Sequence, residues 1–302
     1  MVGRYHSLTR RPAVFRALTG LSAAQFDALY RDVAPRPAEA ERERLTRPNR
    51  KRAIGGGHPF ELTRRDQVLL TVVWLRRYPI LEALGYLFGG SQATAIRAVA
   101  RVLPVLEQAG LDTFRLPDPG KWRRPDLAGL LAETPELAVI VETFEQRVQR
   151  PRERAEADAY YSGKQKRHTL KSQVAIDARD GRVVDVPPTC RGPTADITLL
   201  KGSGLLERVP PEVEVLGDLA YVGIADLHPR GAAPRRKPRG KPRPAEDVAY
   251  NTAFARRRVP VEHTIGRMRC YQALSQTDRH HRRDHTARTR AVAGLVNRRL
   301  AA

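Results

Sequence analysis

Three carboxylates in this sequence stand where apolar runs end. Glu142 follows Val139-Ile140-Val141, Asp218 follows Val215-Leu216-Gly217, and Glu262 follows Val259-Pro260-Val261 in a segment crowded with Arg256, Arg257, Arg258, Arg267 and Arg269. A charge placed beside buried strands is costly unless it is paired. One kind of partner is a neighbouring arginine, which would suffice for any one of these acids taken alone. The other is shared: two strand ends and a helix could bring all three acids onto divalent cations. Hard Mg²⁺ (or Mn²⁺) is held by a few carboxylates, water and phosphate oxygens. Two such ions about 4 Å apart would activate a water or a 3′-OH and stabilise the leaving oxygen of a phosphodiester.

Other chemistries find no support. No Ser or Cys sits in a nucleophile elbow and no Gly-rich phosphate loop precedes a helix, so neither acyl transfer nor a nucleotide cofactor is expected. The two cysteines, Cys190 and Cys270, offer neither a disulfide scaffold nor paired zinc spacing. Asp196, in Arg191-Gly192-Pro193-Thr194-Ala195-Asp196, reads as a helix N-cap, because a side-chain oxygen there satisfies orphan N–H groups. Asp177 and Asp185 lie in strand-like segments where an arginine would pair with either, and His168 reads as a structural hydrogen-bonding group.

The setting is strongly basic. Among 302 residues, 54 Lys+Arg face 33 Asp+Glu, a net charge of +21 that points to a polyanionic partner. Only eight of those 54 are Lys, a bias that suits bidentate phosphate contacts and also follows from GC-rich codon usage. At 41% hydrophobic the chain can bury a core. Its longest apolar run, Val68 to Leu75, is too short for a bilayer, which needs about 20 residues, and Met1 to His6 lacks a signal peptide's apolar stretch. A cytoplasmic, nucleoid-associated protein with no membrane partner is expected.

The elements that must position the acids change character along the chain. Leu21 to Tyr30 reads as a helix capped by Ser22, with Phe26, Leu29 and Tyr30 behind the cap. Residues 35–59 read as a charged linker ending in Gly55-Gly56-Gly57. A helix then runs through Val68 to Leu75, and a second, with Pro79 in its first turn, through Ile80 to Phe88. Gly89-Gly90 form a turn, and Ser91 caps a third helix carrying Ile96, Val99, Ala100, Leu103 and Leu106 on one face. Helix, glycine turn, helix is either a packing unit of a helical domain or the arrangement that places its second helix in a DNA major groove, where Gln92, Thr94, Arg97 and Arg101 would face the bases and backbone. From Leu137 the pattern is that of strands: Ala138 to Val141, Ser172 to Asp177 and Arg182 to Val186, with Asp180-Gly181 as a hairpin turn. A helix over Ala195 to Arg208 precedes a strand at Val213 to Leu216, which makes an α/β layer. Arg230 to Arg243 holds seven Lys/Arg, no acid and several Pro, and reads as an unstructured DNA-contacting arm. Asn251 to Leu300 reads as helical and basic.

At this point the residues resemble a known family. Tyr160 to Lys171, YYSGKQKRHTLK, is similar to the "YYSGKKKRHTLK" segment of bacterial insertion-sequence transposases with a DDE endonuclease domain, the group related to Harbinger-type elements. Gln146 to Pro151 is similar to their "xRxxRP" stretch, and Leu216 to Tyr221 resembles their "GDxGY". Arg256 to Arg269 resembles the "RxxVExxxGxxK" signature of the last catalytic acid. Four motifs in the family's order span most of residues 137–275.

The resemblance implies an RNase H-like fold, with Glu142, Asp218 and Glu262 as catalytic metal ligands on a pair of Mg²⁺ or Mn²⁺ ions. It implies that Arg258 and Arg269 flank the last acid and contact DNA, beside Arg147, Arg150, Lys164, Lys166, Arg167 and Lys171. The organisation that follows is an N-terminal helix and linker over 1–60, a helix-turn-helix over 61–112, a linker over 113–136 and the endonuclease domain over 137–302. The partners implied are double-stranded DNA, both element ends and target, and further copies of the chain assembled on it. The first acid departs from the pattern: the family reads Asp-Gly-Thr-Glu, and this chain reads Glu142-Thr143-Phe144-Glu145. The added methylene moves the carboxylate about 1.5 Å outward. Mg²⁺ demands octahedral geometry at roughly 2.0–2.1 Å, and displacements of about 1 Å can cost on the order of 10²-fold in rate. Impaired catalysis with DNA binding retained is therefore the expectation. Lesser departures lie beside the second acid, at Leu219 and Ala220, and Arg269 replaces a usual Lys. A DNA-binding protein without catalysis is the rival. An RNA-associated protein fits the charge, yet it leaves the acids unexplained and has only 6% aromatics for base stacking.

Overall fold

The computed structural model describes residues 3–35, 46, 62–117 and 137–301. Most of the charged linker read at 35–59, and most of that at 113–136, lie outside the described residues. Two compact units emerge from the chain: Met1–Asp112 with Cys270–Gln276 and Arg290–Ala302, and Thr113–Arg269 with Thr277–Thr289. Contacts thus group two C-terminal segments with the N-terminal helices, where the sequence reading kept 137–302 together.

The first unit is helical: α1 (Tyr5–Thr9), α2 (Pro12–Thr19), α3 (Ala23–Val33), α4 (Arg64–Arg77), α5 (Leu81–Leu87) and α6 (Gln92–Leu111). Ser22 caps α3 as expected, in a reciprocal pair with Gln25. Every residue from Asp66 to Leu75 in α4 is buried, the mark of a helix surrounded by others. Its buried Asp66 accepts from Thr63 Oγ1 and from the Tyr5 N–H, both at 2.8 Å. Pro79 lies just outside α5, one residue before its N-cap Ile80. Ser91 caps α6, accepting from the Thr94 N–H at 3.3 Å. The buried face of α6 differs from the one read from sequence: Ala95, Ala98, Val99, Val102 and Leu106 face inward, while Ile96 and Ala100 are exposed. Helix α10 (His285–Leu300) crosses α6 so closely that a Cβ on Gly294 would lie 2.3 Å from Gly110 Cα. Only hydrogen side chains fit at that crossing.

The second unit is built on a sheet of seven strands among the described residues: β1 (Ala138–Arg147), β2 (Tyr161–Ser162), β3 (Arg167–Asp177), β4 (Val183–Asp185), β5 (Cys190–Arg191), β6 (Glu214–Leu216) and β7 (Gly231–Ala232). Its main path runs β2-β3-β1-β6-β7, with β4 and β5 also on β3. β3 pairs antiparallel with β1 and β4, and β6 is parallel to both β1 and β7. Helices α7 (Arg154–Tyr160), α8 (Asp196–Lys201) and α9 (Ala245–Arg269) complete an α/β fold consistent with an RNase H-like domain. The hairpin at Asp180-Gly181 joins β3 to β4, with Gly181 at φ +72°.

Four readings of local structure need correction. β1 does not stop at Val141 but runs to Arg147, because Thr143, Glu145 and Gln146 each find a hydrogen-bonding partner. The helix read over 195–208 is six residues long. Its N-cap is Ala195, and the Asp196 carboxylate turns away to other partners. The arm at 230–243 is tied down: Arg230 donates to the Glu212 carbonyl at 2.7 Å, Gly231–Ala232 forms the edge strand β7, and Arg235 pairs with Asp247 at 3.0 Å.

Candidate active site

Alternation along β1 sends neighbouring side chains to opposite faces of the sheet. Val139 and Val141 enter an apolar cluster with Leu200 of α8 and Val215 of β6. Thr143 extends that row, and Glu142 takes the other side, toward α9. Glu142 is paired with β3 at Val174 and lies two residues beyond the last rung to β6, Ile140 with Leu216. It is therefore inside a strand, not at its end, yet it sits where the parallel part of the sheet stops.

Asp218 lies two residues after β6, where the chain turns. Its Oδ1 accepts from the Ala220 N–H at 2.9 Å, capping a short 3-10 turn over Leu219–Tyr221. Gly217 makes the turn possible, since a Cβ there would lie 2.4 Å from the Tyr221 Cβ. Tyr221 is fully buried, and its hydroxyl donates to Gln173 Oε1 at 3.4 Å. Burial, followed by the charges of Asp196, Glu142 and Asp218, pushes its hydroxyl well above the usual range.

Glu262 is exposed on α9, one helical turn after Arg258, so the two share a face. The Arg258 guanidinium pairs with Glu142 Oε2, while Glu142 Oε1 accepts from the Thr143 N–H at 3.1 Å. The Glu142 carboxyl is nonetheless pushed up to about 7. Burial is the main cause, Asp218 adds repulsion, Arg258 and the Thr143 N–H oppose it, and Glu262 contributes a further push. Two negative charges and one positive charge thus act on the Glu142 carboxyl.

All three acids offer oxygen, the donor type that hard divalent cations take. Their mutual repulsion is of the kind a cation relieves, so the residues fit such an ion in chemistry. They do not form a closed shell: among the described residues, no group of three His, Cys, Asp or Glu stands ready to hold a metal. One oxygen of Glu142 is committed to Arg258 instead. Arg258, read as a DNA contact, is largely buried in that ion pair.

Lys171 needs a larger correction. It was read as part of a basic surface, and it is buried on β3, donating to Asp196 Oδ1 at 2.5 Å and to the Thr194 carbonyl at 2.6 Å. Asp196 Oδ2 accepts from Thr143 Oγ1 at 2.9 Å, so this network closes under Glu142's neighbour on the opposite face. The signal was present in the sequence: in Thr169 to Asp177 every other residue is polar but uncharged or apolar, save the terminal Asp, and a strand buried throughout must bury its lysine too.

The other basic residues divide. Lys164, Lys166 and Arg167 are exposed around the β2–β3 turn, with Lys166 at φ +53°, and Arg147, the last residue of β1, and Arg150 beyond it are exposed. Arg269 is exposed as the last residue of α9. On α6, Gln92 and Arg97 are exposed and Thr94 is half-buried. Arg101 is also half-buried and donates to Gln67 Oε1 at 3.1 Å, so it braces α6 on α4.

Comparison with known proteins agrees with this geometry. A family described as helix-turn-helix of DDE superfamily endonuclease matches residues 60–112. Over 287 residues the chain is 26% identical to a protein of Microchaete diplosiphon named "Probable transposase for insertion sequence element IS702", covering 95% of this chain and 94% of that one. No solved structure matches. The DDE superfamily endonuclease model matches residues 141–297, from the strand that carries Glu142 to the last turn of α10. Covering more than half the sequence, that match places the chain in the DDE endonuclease superfamily.

Proposed function

We propose that the chain is a transposase that binds the terminal inverted repeats of its own mobile element and cuts and rejoins DNA there. The observation that supports this reading is that the charges of Asp218 and Glu262 both reach the Glu142 carboxyl, which sits at the end of the parallel part of the sheet. In this reading the region 61–112 docks on DNA and 137–302 carries the chemistry. Glu142, Asp218 and Glu262 would hold Mg²⁺ or Mn²⁺. When bound, such an ion lowers the pKa of a water and neutralises charge on the phosphate. Asp218 is fixed by its cap on Leu219–Tyr221, so its free oxygen is held in place. Arg258 answers to the charge of Glu142, and Arg269 ends the same helix within reach of DNA backbone. The protein works in the cytoplasm at the nucleoid, as a homo-oligomer bridging paired DNA ends.

Activity in this copy is impaired at its first acid. The added methylene carries the Glu142 carboxylate onto Arg258, a contact that a shorter side chain would give up. The same ion pair supports the second reading, a DNA-binding protein that retains end recognition without catalysis. The test is cleavage of end-labelled DNA carrying the gene's own flanks, in Mg²⁺ and in Mn²⁺, by wild type, Glu142→Asp and Asp218→Ala. The proposal expects slow cutting by wild type, faster cutting by Glu142→Asp by a factor of about 10 to 10², and none by Asp218→Ala. Wild type cutting as fast as Glu142→Asp would remove the impairment. Binding of the ends with no cutting by any variant would establish the second reading.

A further inference from the structure

Three neighbouring clefts in the second unit share lining residues and together present a basic groove that none of the acids above explains. The first, about 470 Å³, lies between the end of β1 and the β2–β3 turn, lined by Arg147, Arg150, Lys166 and Arg167 with Tyr161 and His168. It shares Val148, Gln149 and Arg150 with a second of about 610 Å³, which adds Arg152 and the segment Asp278–Arg282. Arg282 links the second to a third of about 640 Å³, lined by Tyr160, Cys190, Arg191 and Arg283 among others. Nine Lys and Arg side chains line the three, against three acids, Glu153, Glu156 and Asp278. Two of those acids are already matched, Asp278 by the buried Arg288 and Glu156 by Arg282. Nine cations spread over three neighbouring clefts suit a polyanion with repeated charges, not a single small anion.

At its far end the groove is built in advance. The Arg282 guanidinium lies 4.7 Å from the centre of the Tyr160 ring, and that of Arg191 lies 5.6 Å from it. Arg282 is fixed a second time by Glu156, at 2.7 Å. Arginines held this way lose little freedom on meeting phosphate, and their planar forks remain matched to its oxygens. The same stacking leaves Tyr160 engaged with arginine, so it is not offered to bases. Grip on the phosphodiester backbone is therefore favoured over single-strand base stacking, which needs open aromatic faces.

We infer that this groove, ending in the Tyr160–Arg191–Arg282 clamp, holds the phosphate backbone of the duplex beyond the cleavage point. The inference rests on the transposase reading. Distance supports it: five residues of β1 separate Glu142 from Arg147, roughly 17 Å along a strand. That is the axial length of about five base pairs at 3.4 Å per step.

The experiment measures binding of the full chain to a duplex of the element end by fluorescence anisotropy, over a range of salt concentrations. Wild type is compared with Arg191→Gln/Arg282→Gln, Tyr160→Leu and Tyr160→Phe, each checked for an unchanged thermal midpoint. Each lost phosphate contact lowers the salt slope by about 0.9. The double variant is expected to lose about two units of slope, Tyr160→Leu to bind several-fold more weakly, and Tyr160→Phe to match wild type. On a duplex truncated within about five base pairs of the cleavage point, where no backbone reaches the groove, wild type and the double variant should show the same slope. An unchanged slope for the double variant on the long duplex overturns the groove while leaving the transposase reading intact. Failure of wild type to bind any element end removes both.

Discussion

Two acid–base pairs sit back to back at the middle of β1, one on each face of the sheet. On one face Lys171 meets Asp196 with Thr143 completing the set, and on the other Arg258 meets Glu142. Both are largely buried, with side chains at 10% and 8% exposure in the first and 13% each in the second. What separates them is stoichiometry. Lys171 and Asp196 cancel one for one, and each carboxylate oxygen has a donor. At Glu142, Arg258 and the Thr143 N–H oppose burial and the charges of Asp218 and Glu262, and the carboxyl rises to about 7 despite them. A balanced pair holds a fold together. An unbalanced one leaves a charge that a ligand can answer, which marks the Glu142 side as the place for chemistry.

The largest expected effect comes from breaking the balanced pair. Lys171→Met keeps the length of the side chain and removes its charge, leaving Asp196 buried without its cation. The loss should be about 3–5 kcal/mol of unfolding free energy, the usual cost of orphaning a buried charge, read by urea denaturation. Lys171→Met/Asp196→Leu should recover most of it, since replacing both partners with apolar groups removes the uncompensated charge. If the single variant unfolds within about 1 kcal/mol of wild type, Lys171 is not structural and its reading as a DNA contact returns.

A third site on β1 sharpens the contrast, because there burial is met by neutrality instead of pairing. His285 is fully buried, with Nε2 at 2.7 Å from Gln146 Oε1. Burial, helped by the charge of Arg288, lowers its pKa from the ordinary 6.5 to about 3. The unfolded chain therefore binds a proton that the folded one refuses as pH falls below 6.5. This contribution to stability is complete above that pH and drains away as pH falls toward 3. Between pH 7 and pH 4 it should amount to about 3 kcal/mol, and a His285→Gln variant should show a correspondingly flatter stability profile in denaturant titrations at the two pH values.

The sequence made the chemistry more legible than the wiring. Apolar runs and the Asp-Gly turn gave β3, β4 and β6 their places, and Ser22 and Ser91 marked helix starts through their side-chain caps. Glu142, Asp218 and Glu262 stood out because each follows an apolar run, where an unpaired charge is costly. The length of β1 did not show, because its polar second half is stabilised by partners far along the chain, His285 among them. Lys171 and Arg258 were read by their charge, which says nothing about direction. Pairing across the sheet turned one inward to Asp196 and the other to Glu142. The edge strand β7 was hidden for a related reason: Gly231–Ala232 has no strand propensity of its own and is held by its parallel pairing with Val215 and Leu216.

The smallest expected effect is the most discriminating. Glu142→Gln keeps the shape of the side chain and removes the charge that burial and two neighbouring acids oppose. Were this pair a structural one like Lys171–Asp196, the change would strand Arg258 and cost about as much as Lys171→Met. Because burial, Asp218 and Glu262 already oppose the Glu142 charge, its removal relieves that opposition, and the cost should stay below about 1 kcal/mol at pH 8, an order set by the modest value of an ion pair that is not balanced one for one. DNA cleavage, where wild type has any, should vanish in the same variant. A destabilisation of several kcal/mol would show that Arg258 depends on Glu142 alone, and the asymmetry between the two faces of β1 would lose its meaning.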